Sequence, residues 1–280
     1  MPPLQVVWFK RDLRAYDHAP LYQASQRGWV LPLYIFEPDL WRQPDASNRQ
    51  WRFVRECLVE LDRTLGRLAG KTHGLIVRTG EAVEVLEAIH QAHGIDALWA
   101  HMEIGNNWTF QRDKAVRRWA KARGIPFHEL PQDGVIRGLQ SREGWRDHWE
   151  AEMSQPLTPA PQRLQIPPLR SDTLPVSVGD DDCPHAQLGG RSRGLALLRS
   201  FLSHRVRNYA RGLSSPLTAP SACSRLSPYL AYGALSLREV VQATRRRIQQ
   251  VQADPNAAGL LRSLQAFESR LGWRSHFMQR

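Results

Sequence analysis

LQVVWFKRDLRAYDHAPLYQASQRGWVLPLYIF (4–36) reads as one strand–loop–helix–strand unit, and the residues up to 130 repeat its pattern. LQVVWF (4–9) is a short apolar run rich in β-branched and aromatic residues, which suits a buried strand. The polar loop KRDLRAYDH comes next, then a helix near Ala19–Arg27, then a second strand, VLPLYIF (30–36). In 48–68, Phe53, Cys57, Leu58, Leu61, Leu65 and Leu68 recur at helical spacing. GLIVRTG (74–80) is a third strand, EAVEVLEAIHQAHG a helix closed by Gly94, and IDALWAHM (95–102) a fourth strand. A helix over about Thr109–Ala122 and a fifth strand, IPFHEL (125–130), complete the series. Strands separated by helical crossovers predict an α/β fold with a parallel sheet and helices on both faces. Such sheets take ligands at the carboxyl ends of their strands, here the loops after Phe9, Phe36, Arg78 and Met102. Neither GxGxxG nor GxxxxGK[ST] occurs in those loops, so the two commonest phosphate-loop readings lose their main support.

Beyond residue 130 the character changes. Residues 131–189 are rich in Pro and Asp with little periodicity and read as a long extended linker, in which WRDHWEAEM (145–153) forms one or two amphipathic turns. Helical pattern resumes at Arg191, where Leu195, Leu198, Phe201, Leu202 and Val206 share a face. Pro216 and Pro220 then forbid a continuous helix. Ser227 reads as the cap of a helix with Pro228 in its first position, and Ser236 as the cap of the next. A last helix from about Asn256 carries Leu260, Leu261, Leu264, Phe267, Leu271 and Phe277.

With 280 residues, 42% of them hydrophobic and 23% charged, the chain can build two medium-sized domains. No apolar run approaches the roughly 20 residues a membrane-spanning helix needs, and the first residues lack a leader pattern, so a cytoplasmic protein without membrane contact is expected. Three cysteines without paired spacing exclude a disulfide framework and a cysteine-based metal site. The net charge of +11 is unevenly placed: residues 190–280 hold 15 Arg, no Lys and three acids, while 1–189 hold 23 basic and 24 acidic residues. A cationic excess confined to one segment points to a polyanionic partner, usually nucleic acid.

SRLSPYL (224–230) gathers two hydroxyls and Arg225 at an expected helix start, where N–H groups, dipole and guanidinium suit a phosphate. The same features also suit an ordinary capped helix with a solvated arginine. Tyr209, upstream, can stack or hydrogen-bond there. FESRLGWRSHFMQR (267–280) puts Arg270, Trp273, Arg274 and Phe277 on one helix face, where guanidinium groups and an indole can grip a planar anion. No Ser/His/Asp arrangement marks a catalytic acid, base or nucleophile, and no metal set stands out.

VVWFKRDLRAYDHAPL (6–21), SRLSPYLAYGALSLREV (224–240) and FESRLGWRSHFMQR together resemble the photolyase/cryptochrome family, collinearly and over nearly the whole chain. The resemblance implies a Rossmann-like, doubly wound, five-stranded antenna domain (1–130), an interdomain linker (131–189) and a partial all-helical FAD-binding domain (190–280). It implies that Tyr209 contacts the FAD phosphate region, and that Cys223, Ser224, Arg225, Leu226 and Ser227 wrap the pyrophosphate and ribityl chain. Trp273 and Arg274 match the pair beside the flavin and lesion pocket. Arg270, with Trp273 on the DNA side, stands where dimer photolyases commonly carry a glutamate, and a guanidinium cannot accept that glutamate's hydrogen bond. In the antenna loop, Glu103 and Asn106 are the expected polar contacts. Trp108-Thr109 replaces the family's folate-recognising pair, which disfavours folate and leaves a deazaflavin, a flavin or no antenna open.

The family's chains are much longer, so a truncated chain holding only the first side of the FAD pocket is expected. The implied activity is light-driven repair of pyrimidine dimers in damaged or single-stranded DNA by electron transfer from reduced FAD. The alternatives are a cryptochrome-like photosensor and a non-functional N-terminal fragment.

Overall fold

The computed structural model describes residues 2–141, 143–181 and 183–279. The chain divides into two compact units, Met1–Leu130 with Thr158–Arg191, and Pro131–Leu157 with Ser192–Arg280.

The first unit runs β1 (Leu4–Phe9), α1 (Ala19–Ser25), β2 (Trp29–Phe36), α2 (Pro38–Trp41), α3 (Asn48–Leu68), β3 (Ile76–Thr79), α4 (Ala82–His93), β4 (Ala97–His101), α5 (Asn107–Ala122) and β5 (Phe127–Leu130). The strands form one sheet in the order β3-β2-β1-β4-β5, and every pairing is parallel. This is the doubly wound sheet expected from the strand–helix alternation. Central β1 is buried along its whole length because both faces of the sheet are covered. Val6, Trp8, Leu31, Leu33, Ile35 and Leu98 pack under Leu86 and Ile89 of α4 and Val116 and Ala120 of α5. On the other face α1 lies across β1, β2 and β4, and Trp51 of α3 meets Phe36 edge-on at 4.8 Å.

The linker read over 131–189 is shared between the units. Its second half is a strap on the sheet unit. The Val30 N–H donates to Gln165 O (2.8 Å), and the Leu164 N–H to Leu68 O (2.9 Å). At edge strand β3 the Val77 N–H donates to Ser171 Oγ (2.8 Å), the Asp172 N–H to Val77 O (3.0 Å), and the Thr79 N–H to Asp172 Oδ2 (2.9 Å). The strap thus occupies backbone groups that would otherwise template a foreign strand.

The second unit holds α6 (Trp145–Ser154), α7 (Arg191–Ser203, its first residue counted with the sheet unit), α8 (Tyr209–Gly212), α9 (Ala219–Ala222), α10 (Ser227–Ala231), α11 (Leu237–Val251) and α12 (Ala258–Met278). Short 3-10 turns at 205–208 and 255–257 precede α8 and α12. Phe201, Tyr209 and Phe267 form an edge-to-face trio with centroids 4.6–5.6 Å apart. The two turns expected at 145–153 are a ten-residue helix, because Trp145, Trp149 and Met153 recur every four residues and are all buried. Trp149 Nε1 donates to Ser275 Oγ of α12 at 3.1 Å. Gly134 (φ +64°) lies against the Trp149 ring, where a Cβ would meet the indole.

Ser236 caps α11 as expected, through a reciprocal pair with Glu239 (3.0 and 2.7 Å). One expectation needs correction. Ser227 is the first helical residue of α10, behind Leu226, and makes no side-chain cap, because the chain enters the helix one residue early. Phe277, placed on one helix face with Arg270 and Trp273, is 57% exposed, and Trp273 is half exposed beside it. Among the described residues no helix is long and apolar enough to cross a membrane.

Candidate functional site

The carboxyl ends of the strands deliver charged residues into the sheet unit. Lys10 and Asp12 follow β1, Glu37 follows β2, Glu103 follows β4 beyond its last residue His101, and Arg112 and Asp113 come from α5. Arg112 donates to Glu37 Oε2 (2.7 Å), Glu103 Oε2 (2.5 Å) and Asp113 Oδ1 (2.8 and 3.0 Å). Lys10 Nζ donates to Asp113 Oδ2 at 2.8 Å. Both cations also lie over the Trp8 ring, at 4.7 and 4.8 Å from its centroid. All five ionic side chains are at most 5% exposed. Burial pushes the Glu37 carboxyl up to about 7 against the pull of Arg112, and the neighbouring Glu103 and Asp113 charges add to the rise. Its Oε1 is buried without a hydrogen-bond partner. Glu37 is therefore the group here that changes protonation near neutral pH.

Glu103 and Asn106, the expected antenna contacts, are both engaged within the protein. Glu103 holds Arg112, while Asn106 accepts from the Thr109 N–H to cap α5 (3.0 Å) and donates to Asp45 (3.0 and 3.1 Å). Beside them Asp12 Oδ2 meets His18 Nε2 and His101 Nδ1, each at 2.9 Å. The potential metal-ligating atoms of this trio lie within 4.8 Å of one another. However, His18 Nδ1 accepts from the Leu21 N–H (3.1 Å), which puts the proton of the neutral ring on Nε2, facing Asp12. A cation on Nε2 would require that proton's removal, so the trio is arranged as a proton-holding clamp on the α1 N-terminus. Burial holds both imidazoles below their ordinary value, His101 at about 3, and the two histidines hold Asp12 well below the carboxylate range against its own burial.

In the helical unit, Tyr209 is buried at the start of α8, with Cys223 and Arg270 close enough to act on its phenol. Burial, reinforced by Cys223, raises that phenol above its ordinary value, and Arg270 opposes the rise. The turn Cys223–Ser227 is held from behind. Arg205 Nη1 donates to Cys223 O, Arg205 Nη2 to Ser224 O (3.4 Å), and the Leu226 N–H to Ser224 Oγ (3.4 Å). Leu226 is buried and anchors the turn. Arg225 sits in the left-handed region (φ 63°), a conformation that costs a non-glycine residue about 1 kcal/mol or more. With α10 only five residues long, Arg225 and backbone N–H groups, rather than a long helix dipole, supply the turn's positive character.

On α12, Arg270 stacks over the half-exposed Trp273 indole at 3.9 Å, and Trp273 meets Phe277 edge-on at 6.3 Å. Arg274 turns inward, donating to Leu230 O (3.0 Å) and pairing with Asp133 (3.2 Å). The fold thus brings together Tyr209, the Cys223–Ser227 turn and Arg270, and ties Arg274 to the helix that follows the turn. The ionic cluster at the sheet ends was not legible as a cluster. Its signal was a charged residue immediately after each of three apolar strands: Lys10, Glu37 and Glu103 just past Met102.

Residues 5–139 match the family model described as DNA photolyase. A deoxyribodipyrimidine photo-lyase from Streptomyces griseus is 29% identical over 295 residues, covering 98% of this chain and 60% of its own length. Among solved structures, a cryptochrome from Synechocystis sp. PCC6803 superposes with a TM-score of 0.83 at 22% identity, over 100% of this chain and 61% of its own. An archaeal photolyase from Sulfolobus tokodaii, solved with two FAD molecules, gives a TM-score of 0.64 at 22% identity, over 98% of this chain and 60% of its own. The chain spans about 60% of the length of these relatives. The sheet unit thus carries a match to the DNA photolyase model over residues 5–139, and nearly the whole chain is similar in sequence to a photolyase and in fold to a cryptochrome.

Proposed function

We propose that the chain binds FAD in its helical unit and acts on DNA in a light-dependent reaction, as a photolyase of pyrimidine dimers. One observation carries this reading: α8, which Tyr209 opens, packs against both α12, the helix of Arg270 and Trp273, and α9, which leads into the Cys223–Ser227 turn, so the elements expected to wall a flavin site meet. Tyr209, the 223–227 backbone and Arg225 would hold the phosphates, and Trp273 would cover a planar ring. FAD supplies the light-excitable electron donor that the chain's own side chains lack. The protein residues would position it, limit water and grip phosphates, with a damaged base drawn from the stack at a few kcal/mol. The Arg excess of residues 190–280 supports a strand of DNA as partner. In the sheet unit, the strand ends around Glu103 and Asn106 are the proposed antenna side.

A second reading, a photosensor without repair, is favoured by Arg270. Its guanidinium is stacked on Trp273 and offers donors only, where dimer recognition in the family uses an acceptor. Illumination of the flavin-loaded, reduced chain with dimer-containing single-stranded DNA separates the two. Loss of dimers supports repair, and unchanged dimers with a bound flavin support the photosensor. A purified chain that takes up no flavin overturns both.

The Arg225 turn gives a sharper test. Arg225→Ala removes the guanidinium and leaves a Cβ in the left-handed region, whereas Arg225→Gly removes the guanidinium and relieves the strain. Both are expected to weaken flavin binding about tenfold, with the glycine variant melting no lower than the parent. Undiminished flavin binding in the glycine variant would remove Arg225 from the site.

A further inference from the structure

A second concavity in the helical unit, of about 530 Å³, shares no residue with the proposed flavin wall. Its lining includes His204, Arg205, Asn208, Arg211, Ser215 and Thr218, and no acidic residue. His204, Asn208, Arg211 and Ser215 come from the 3-10 turn, α8 and the loop after it, and all four line the concavity. The Arg205 guanidinium is fixed by the carbonyls of Leu197 (2.9 Å), Cys223 and Ser224, so its charge is held in place without a carboxylate. Burial and the nearby Arg225 lower its proton affinity, and Cys223 opposes that shift. The side chains of His204, Asn208, Arg211 and Ser215 make no hydrogen bond or ion pair among the described residues.

No acid lines the concavity, and of the acids in the 131–157 segment of the same unit Asp133 pairs with Arg274, Glu150 with Arg245 and Glu152 with Arg238. Of the three acids after Gly190, Glu239 closes the α11 capping box, Asp254 caps the 3-10 turn before α12, and Glu268 holds Arg245 at 2.6 Å. A concave, acid-free surface with one fixed guanidinium and several uncommitted donors has the chemistry of an anion receptor.

We propose that this concavity is a phosphate-binding site, with Arg211 as the bidentate fork, Asn208, Ser215 and the His204 ring as further donors, and Arg205 as a fixed positive charge. The phosphate comes either from a nucleic-acid strand or from a small phosphorylated molecule. The residues substituted below, Asn208 and Arg211, lie outside the flavin wall, whereas Arg205 borders both because it also holds the carbonyls of Cys223 and Ser224.

Two titrations of the full chain at constant ionic strength test it: inorganic phosphate followed by the melting temperature, and a fluorescent oligothymidylate followed by anisotropy. Saturable binding of at least one probe is expected. Its dissociation constant should rise about tenfold in Arg211→Ala and in Asn208→Ala, with Arg211→Lys between, and with flavin content per chain unchanged in all three. Weakened oligothymidylate binding assigns the site to a strand. Weakened inorganic phosphate binding with unaltered oligothymidylate binding assigns it to a small phosphorylated molecule. Affinities for both probes that do not respond to either alanine substitution, or absence of saturable binding, overturn the proposal. Loss of flavin alone would instead strike the function proposed above and leave this site standing.

Discussion

Arg112→Ala is expected to lower the stability of the sheet unit by about 3–5 kcal/mol at pH 7.5, the range for removing one member of a buried ion network. Arg112 donates to three carboxylates, and its removal leaves Glu37 and Glu103 without their guanidinium and Asp113 with Lys10 alone. None of these side chains is more than 5% exposed, so water cannot replace the lost partner without opening the cluster. Arg112→Lys keeps one charge but cannot fork toward three carboxylates, and its loss should be intermediate. Urea unfolding followed by tryptophan fluorescence measures these differences, since Trp8 lies under both cations. The cost should shrink at pH 5.5, where Glu37 takes up a proton. A loss below about 1 kcal/mol in the alanine variant would mean that the carboxylates are wet in solution.

The pH dependence of stability carries the second large effect, and two buried groups oppose each other in it. His101, held at about 3, stays neutral in the folded protein, while in the unfolded chain it protonates near 6.5. Its contribution is therefore complete above 6.5 and is lost as pH falls from there toward 3, by about 2 kcal/mol at pH 5. His18 is shifted in the same direction and steepens the loss. Asp12, Arg14 and the paired imidazoles are the charged groups acting on this trio. Glu37, raised to about 7, acts with the opposite sign: its contribution is present at low pH and is lost as pH rises through 7.

The parent is thus expected to show a shallow profile between pH 5 and 7. Glu37→Gln should expose a fall of about 2 kcal/mol or more on acidification. Adding His101→Asn to that variant should make the fall shallower, leaving the part that His18 contributes, at some cost in stability at pH 7.5. An unchanged profile in Glu37→Gln would show that Glu37 is ionised across the range.

Much of the fold was legible from local pattern, because each strand of a parallel sheet buried on both faces is a short continuous apolar run. The Ser236 cap was legible for the same reason, and the structure adds the reciprocal bond from Glu239 three residues on. What failed was also local in origin. Helix α10 begins one residue before the position its Pro suggested, while Phe277, one of the apolar positions along α12, is exposed. Periodicity states that a face exists and does not state whether anything covers it. The linker looked irregular because its partners are remote: Ser171 and Asp172 complete β3, and Ile136 exchanges two hydrogen bonds with Gln279 (2.8 and 2.6 Å).

From the order of its residues alone, this chain declared a parallel sheet, a helical unit with an arginine excess, and a turn and helix face suited to a planar anion. Those features follow from short-range periodicity, capping and composition. Tertiary structure alone decided which charges meet. Arg112 reaches Glu37 across 75 positions, His101 reaches Asp12 across 89, and α8 with Tyr209 packs on α12. Charge interactions depend on separation and burial in space, and neither quantity is written in the spacing of residues along the chain.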